Sequence, residues 1–255
     1  MSLSSDYKRQ FGWRSWARIF DALPPCHGQT VLDLGCGVGD QATELATRGA
    51  RVIGVDMNEE LLGEARARRI PGAEFRMGNL RTCGNLSVVA DGIWCSFATA
   101  YFPDLPAMLA AWGRHLRPGG WIALTEIDDL FGHEPLSAAS RALLEGYARD
   151  ALLAGRYDFH MGRKLRGHLE RSGFPVEQEL VLEDRELAFE GPALPEVIDA
   201  WRHRLDRMQL LRSFCGPGFD SLRDELVGCL ADPGHRSLAK VYCCIARSRG
   251  RGSTA

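Results

Sequence analysis

The sequence predicts an α/β fold, a doubly wound and mostly parallel sheet flanked by helices. Three observations lead there. Val31-Leu32-Asp33-Leu34 is a short apolar run that breaks into glycines at 35, 37 and 39 and then into a helical pattern, which reads as strand, tight loop, helix. A second apolar strand, Arg51-Val52-Ile53-Gly54-Val55-Asp56, ends on a carboxylate, about where an acid meets ribose hydroxyls in a nucleotide-binding βαβ unit. Further apolar runs then alternate with helical patterns, the order of strands and crossover helices in a parallel sheet.

The elements follow in order. Tyr7 to Leu23 reads as one amphipathic helix bearing Phe11, Trp13, Trp16, Phe20 and Leu23. Trp16 and Phe20 pack it on the domain; Tyr7, Phe11 or Trp13 is a candidate to close over a cationic ligand, with Lys8, Arg9 or Arg14 near any ligand carboxylate. After the glycine loop, Ala42, Leu45 and Ala46 share one helix face and Gly49 stands at the C-terminal cap. Glu59 to Ala67 is a helix capped by Asn58, with acidic residues in its first turn. Ala73 to Met77 is a third strand and Asp91 to Phe97 a fourth. Asp104 caps a helix from Leu105 to Leu116, which Arg117-Pro118-Gly119-Gly120 stops, and Trp121 to Ile127 is a fifth strand.

The second half is richer in helix. Leu136 to Ala154 and Gly162 to Arg171 read as helices, the latter closed by Ser172-Gly173-Phe174-Pro175. Val176 to Leu187 and Leu238 to Ala246 read as the sixth and seventh strands. Between them lie two amphipathic helices, Pro195 to Leu211 and Phe219 to Leu230, and Arg247 to Ala255 is a polar tail.

Composition bounds the function. A chain of 255 residues, 45% apolar and 25% charged, suffices for one large α/β domain or one such domain with a smaller cap. A net charge of −2 gives no field to attract nucleic acid or an anionic membrane, so neither is an expected partner and a polyanionic substrate is disfavoured. No run approaches a membrane span and Met1 to Ser5 is too polar to begin a secretory signal, so a cytoplasmic location is expected. The eight cysteines (26, 36, 83, 95, 215, 229, 243, 244) lack metal or redox spacing and read as reduced, mostly buried small hydrophobes; no histidine pair suggests a metal site. Oligomeric state is left open.

Four stretches carry a resemblance to a known family. Val31 to Gly39, Val52 to Met57, Met77-Gly78-Asn79-Leu80, and Arg117-Pro118-Gly119-Gly120 leading into Trp121 to Glu126 resemble, in order and spacing over about residues 28–130, the class I S-adenosylmethionine-dependent methyltransferases of small-molecule type. The resemblance implies a seven-stranded Rossmann-like sheet; the extra apolar helices of this sequence, where the family usually has only a short turn between strands 6 and 7, read as a helical cap inserted after strand 5 and between strands 6 and 7. One methyltransferase domain would span 1–255, with a core of about 25–130, 160–190 and 237–247 and a cap of about 1–24, 131–158 and 191–235. It implies S-adenosylmethionine as cofactor, S-adenosylhomocysteine as product and no metal. Cofactor-binding residues would be Asp33, Gly35, Cys36, Gly37, Asp56, Met57, Asn79, Leu80 and Phe97, with Trp13 from the N-terminal helix. Asn79 departs from the family, which usually places there an acid that bonds the adenine amino group; the Asn carbonyl can still accept that bond.

The reaction so implied is direct in-line displacement onto an O, N or C atom of a small acceptor, with no covalent intermediate. An amine or enolate needs only placement, whereas a hydroxyl benefits from a base. Tyr101, Glu126, Asp128, His133 and Glu134 fall just beyond strands four and five, where open α/β sheets bind ligands. His133 is the foremost candidate base, because its ordinary pKa lies near neutrality, and Tyr101 is the second. Each also reads as a cap or a solvated loop residue. A nicotinamide dehydrogenase is disfavoured, since Asp40 stands where the dinucleotide fingerprint wants its last glycine. A non-catalytic cofactor-binding module remains the alternative.

Overall fold

The computed structural model describes residues 3–81 and 86–249, with side chains from residue 7 onward. Met1, Ser2, Cys83 and the tail beyond Arg249 lie outside the described residues, and with them the expectations made there.

A seven-stranded sheet forms the centre, in the order β3-β2-β1-β4-β5-β9-β7. Its members are β1 (Thr30–Leu34), β2 (Arg51–Asp56), β3 (Ala73–Met77), β4 (Ala90–Ser96), β5 (Leu116–Asp128), β7 (Val176–Leu182) and β9 (Lys240–Arg247). The first five run parallel, and β9 lies antiparallel between β5 and β7. Strands of this kind are buried on both faces, and the chain obeys: Val31 and Trp94 join one apolar core, Leu32 and Leu34 the other. Helices α3 (Asp40–Thr47), α4 (Glu59–Ala67), α5 (Leu105–Gly113) and α7 (Leu165–Arg171) serve the sheet. Helices α6 (Ala138–Leu153), α8 (Pro195–Arg207), α9 (Gln209–Cys215) and α10 (Phe219–Ala231) are the additional ones. Because the first five strands are parallel, β1, β2 and β4 all end along one edge, beside Gly35, Asp56 and Ser96.

Several elements differ from expectation. The N-terminal helix divides into α1 (Leu3–Phe11) and α2 (Trp16–Ala22). Its middle is drawn out of the helix by a distant segment: Arg185 N donates to Trp13 O at 3.1 Å and Ser15 N to Glu183 O at 3.3 Å. That segment is also why the sixth sequence strand stops at Leu182 rather than Leu187. The Asp184 carboxylate accepts from the amides of Glu186 and Leu187, both at 2.8 Å, and turns the chain. The helix expected from Pro195 breaks at Met208, and the fifth strand begins early, at Leu116 beside Ala90. A two-residue ladder of β6 (His133–Glu134) with β8 (Arg236–Ser237) was not anticipated.

Candidate active site

A cavity of about 680 Å³ opens where β1, β2 and β4 end, within the range of small-molecule sites. Its floor is the glycine loop. Gly35, Gly37 and Gly39 have φ of 81°, 51° and 79°, left-handed values that admit glycine without strain. A Cβ on Gly35 would stand 3.1 Å from Ala98 Cβ and one on Gly37 3.7 Å from the Tyr7 ring, so the bare backbone holds open a cradle that side chains would fill. Val55 O pins the loop by accepting from Gly35 N at 2.8 Å and Cys36 N at 3.2 Å.

Asp56 stands at the end of β2 with both oxygens placed. Oδ2 accepts from Gly37 N and Oδ1 from Asn58 N, each at 2.9 Å. A carboxylate oxygen has a second acceptor direction, so the pair retains capacity for two donor groups such as vicinal hydroxyls. Asn58 in turn caps α4 by accepting from Glu60 N and Leu61 N. Further along the wall, Asn79 Oδ1 accepts from Arg81 N at 2.9 Å, and Leu80 O accepts from Trp112 Nε1 at 3.0 Å. Phe97 holds φ of 53°, a strained value for a ring-bearing residue, and its ring meets Trp16 edge-on at 6.0 Å and the Arg14 guanidinium at 4.6 Å.

The cavity thus brings together Gly35, Cys36, Gly37, Asp56, Met57, Asn79, Leu80, Phe97 and Tyr101 among the residues singled out in the sequence. Asp33, Trp13, Glu126, Asp128, His133 and Glu134 are not among the lining residues. Asp33 is 2% exposed, on the face of β1 covered by α3 beside the Ala42 amide, and burial with the nearby Asp56 and Asp40 charges pushes its carboxyl up to about 8. Trp13 packs on the core below Arg9, because its backbone is tied to Arg185; Tyr7, Phe11, Arg14 and Trp16 line the cavity instead. His133 is carried away by the turn at Asp129 and Gly132. It lies 1% exposed, with Nδ1 3.0 Å from His235 Nε2, and burial and His235 drive its pKa down to about 3, so it stays neutral and outside the cavity. Of the remaining acids, Asp128 pairs with Arg163 and Glu134 with Arg141 and Arg236, outside the lining. Glu126 is fully buried, accepts from Thr99 Oγ1 and the amides of Ala100 and Ile127, and is pushed up to about 7 by burial.

Sequence reasoning missed the far wall, formed by Tyr157, Leu187 and Arg204. Tyr157 meets Tyr101 edge-on at 4.9 Å, and burial raises the pKa of both phenols. A signal for Arg204 existed: it follows Val197 by seven residues and Trp201 by three, which puts an arginine on the apolar stripe of α8. Among the described residues no group of three or more His, Cys, Asp or Glu is placed to hold a metal.

Comparison with known proteins agrees with this architecture. Residues 31–120 match the family model for a methyltransferase domain. The trans-aconitate 2-methyltransferase of Deinococcus radiodurans is 38% identical over 111 residues, which are 42% of this chain and 42% of that protein, so the match spans less than half of the relative's length. A solved S-adenosylmethionine-dependent methyltransferase from Mesorhizobium loti superposes with a TM-score of 0.53 at 22% identity, over 91% of this chain and 96% of that one. Phosphoethanolamine N-methyltransferase 2 of Haemonchus contortus, solved with S-adenosyl-L-methionine, gives 0.56 at 20% identity over 92% of this chain and 52% of that one. The sheet order and the glycine-loop cavity therefore define a Rossmann-like methyltransferase fold. Residues 31–120 thus match a methyltransferase domain, and the chain shares its fold with solved S-adenosylmethionine-dependent methyltransferases.

Proposed function

We propose that the protein transfers a methyl group from S-adenosylmethionine to an O, N or C atom of a small-molecule acceptor. The observation that carries this reading is one continuous cavity joining the glycine cradle and Asp56 to a separate wall of Tyr101, Tyr157 and Arg204. The bare backbone at Gly35 and Gly37 and the spare acceptor capacity of Asp56 suit the methionine and ribose parts of the cofactor, with Asn79 and Leu80 on the adenine side. When bound, the cofactor supplies a methyl group on a sulfonium, with a neutral thioether as leaving group.

The chain's own residues have three tasks. Tyr7 and Phe11 of α1 close the mouth above the loop and help to exclude water, and Lys8 Nζ reaches Glu64 Oε2 of α4 at 2.7 Å across it. Phe97 and Ser96 form the boundary between cofactor and acceptor. The helical cap, through Gly155 to Tyr157 after α6 and Arg204 on α8, shapes the acceptor end. Positioning and desolvation carry the rate in this reading; Tyr101, the one sequence-nominated candidate left at the wall, is kept protonated by burial and serves by orienting the acceptor. A cytoplasmic setting, which keeps buried thiols such as Cys243 and Cys244 reduced, fits it; no described helix is long and apolar enough to cross a membrane.

Calorimetry tests the placement. Asp56→Ala removes charge-assisted hydrogen bonds of about 1.5–3 kcal/mol each and should weaken S-adenosylmethionine at least about tenfold in a folded protein. Unchanged affinity would refute the assignment. Release of S-adenosylhomocysteine with a panel of acceptors separates an enzyme from a module that only binds.

A further inference from the structure

The cavity is electrically lopsided. Its lining carboxylates are Asp40 and Asp56, both at the glycine-loop end, whereas Arg14 and Arg204 face the remainder with Arg81 and Arg156 at the rim. Resting on the methyltransferase reading of this site, we propose that the acceptor is a small organic acid whose carboxylate is held by the Arg204 guanidinium, beside Arg14, while its apolar body lies against Tyr157, Leu130 and Leu187.

The two arginines are fixed from behind by carboxylates that do not reach the cavity. Arg14 Nε lies 2.8 Å from Asp184 Oδ2 and its Nη2 donates to Glu186 Oε2 at 3.0 Å. Arg204 Nη2 donates to Glu186 Oε1, which also accepts from Gln10 Nε2 at 3.0 Å. Asp184 and Glu186 are themselves 2% and 0% exposed. Each guanidinium is therefore anchored by a buried carboxylate while its residue still lines the cavity. The Arg204 side chain keeps about a quarter of its surface exposed although its partner Glu186 is fully buried, so the guanidinium borders the cavity while its anion does not.

Stability does not account for this cluster, since well-packed apolar residues often do as well as buried ion pairs. A planar guanidinium matches a carboxylate by two parallel hydrogen bonds, strengthened where water is excluded. An ammonium-bearing acceptor would find no carboxylate to pair with here: among the described lining residues none stands at that end, and Asp184 and Glu186 are buried and already engaged by Arg14 and Arg204. The apolar surface of Ile127, Leu130 and Leu187 with the Tyr101–Tyr157 pair favours an acid with a hydrocarbon or aromatic body.

The cofactor's own carboxylate is the other source of the same chemistry, and the experiment distinguishes the two. S-Adenosylhomocysteine is first titrated into the wild-type chain by calorimetry; the saturated complex is then titrated with benzoate, phenylacetate and trans-cinnamate and with the three corresponding primary amides. At least one acid should bind tenfold or more tightly than its amide. Arg204→Gln should abolish that preference while S-adenosylhomocysteine affinity changes less than threefold. Because Arg204→Gln strands Glu186, the double variant Arg204→Gln/Glu186→Gln is measured alongside, and the preference must be lost there too. The proposal is overturned if no acid outbinds its amide, if the preference survives in a folded variant, or if S-adenosylhomocysteine binding collapses while acid binding persists, which would assign Arg204 to the cofactor. Failure of S-adenosylhomocysteine to bind the wild-type chain would instead bring down the methyltransferase reading, and this one with it.

Discussion

Asp33 is an acid in a place that does not tolerate a charge. Its carboxyl is raised to about 8 when folded, against about 3.9 for an unperturbed side chain, so the native state keeps a proton that the unfolded chain releases above about pH 4. Its contribution is fully favourable below the unfolded pKa and is lost as pH rises through the folded one. Asp33→Asn, which keeps shape and cannot ionise, should gain on the order of a few kcal/mol near pH 8 and nothing near pH 4. Urea unfolding at the two pH values reads the difference, and equal gains at both would contradict the assignment. The same residue shows why the site was only partly legible. An Asp in a glycine-rich βα unit reads as a ligand contact, but the strand's alternation turns its side chain onto the face covered by α3, beside the Ala42 amide.

Among elements, the parallel strands were readable because each is a short apolar run ending in turn chemistry, and the glycine loop because its residues admit little else. Gly54 within β2 is less obvious from sequence. A Cβ there would stand 2.6 Å from Phe75 Cδ1 and 2.9 Å from Cys36 Sγ. Gly54→Ala should therefore cost about 1–3 kcal/mol by overpacking and, by pushing Cys36, weaken cofactor binding as well; thermal unfolding with and without S-adenosylhomocysteine measures both. The break between α1 and α2 and the early end of β7 were not readable. Residues 13–15 and 183–185 hold each other through hydrogen bonds across about 170 positions of chain, and no local pattern encodes such a partner. His133 and Trp13 were misplaced for the same reason: their residue types suited the chemistry, but distant segments decided where they point.

Across the whole molecule, Glu186 is a junction. It joins Gln10 of α1, Arg14 of the following turn and Arg204 of α8, and its carbonyl accepts from Trp201 Nε1 at 2.9 Å. Glu186→Ala would leave two guanidinium groups without their shared anion and should destabilise the protein by about 3–5 kcal/mol. Limited proteolysis should then cut first in the N-terminal segment, while a variant as stable and as resistant as wild type would show the junction to be dispensable. The position of β9 adds a temporal constraint. This strand is the last of the seven in chain order and yet lies between β5 and β7. A ribosome therefore finishes both neighbours before their shared partner exists: β5 waits with one edge unpaired, and β7, whose pairing in the sheet is with β9, waits without it. The sheet cannot close gradually from one end; residues 240–247 must pair with β5 and bring β7 into register together, so assembly of the whole waits on the final strand.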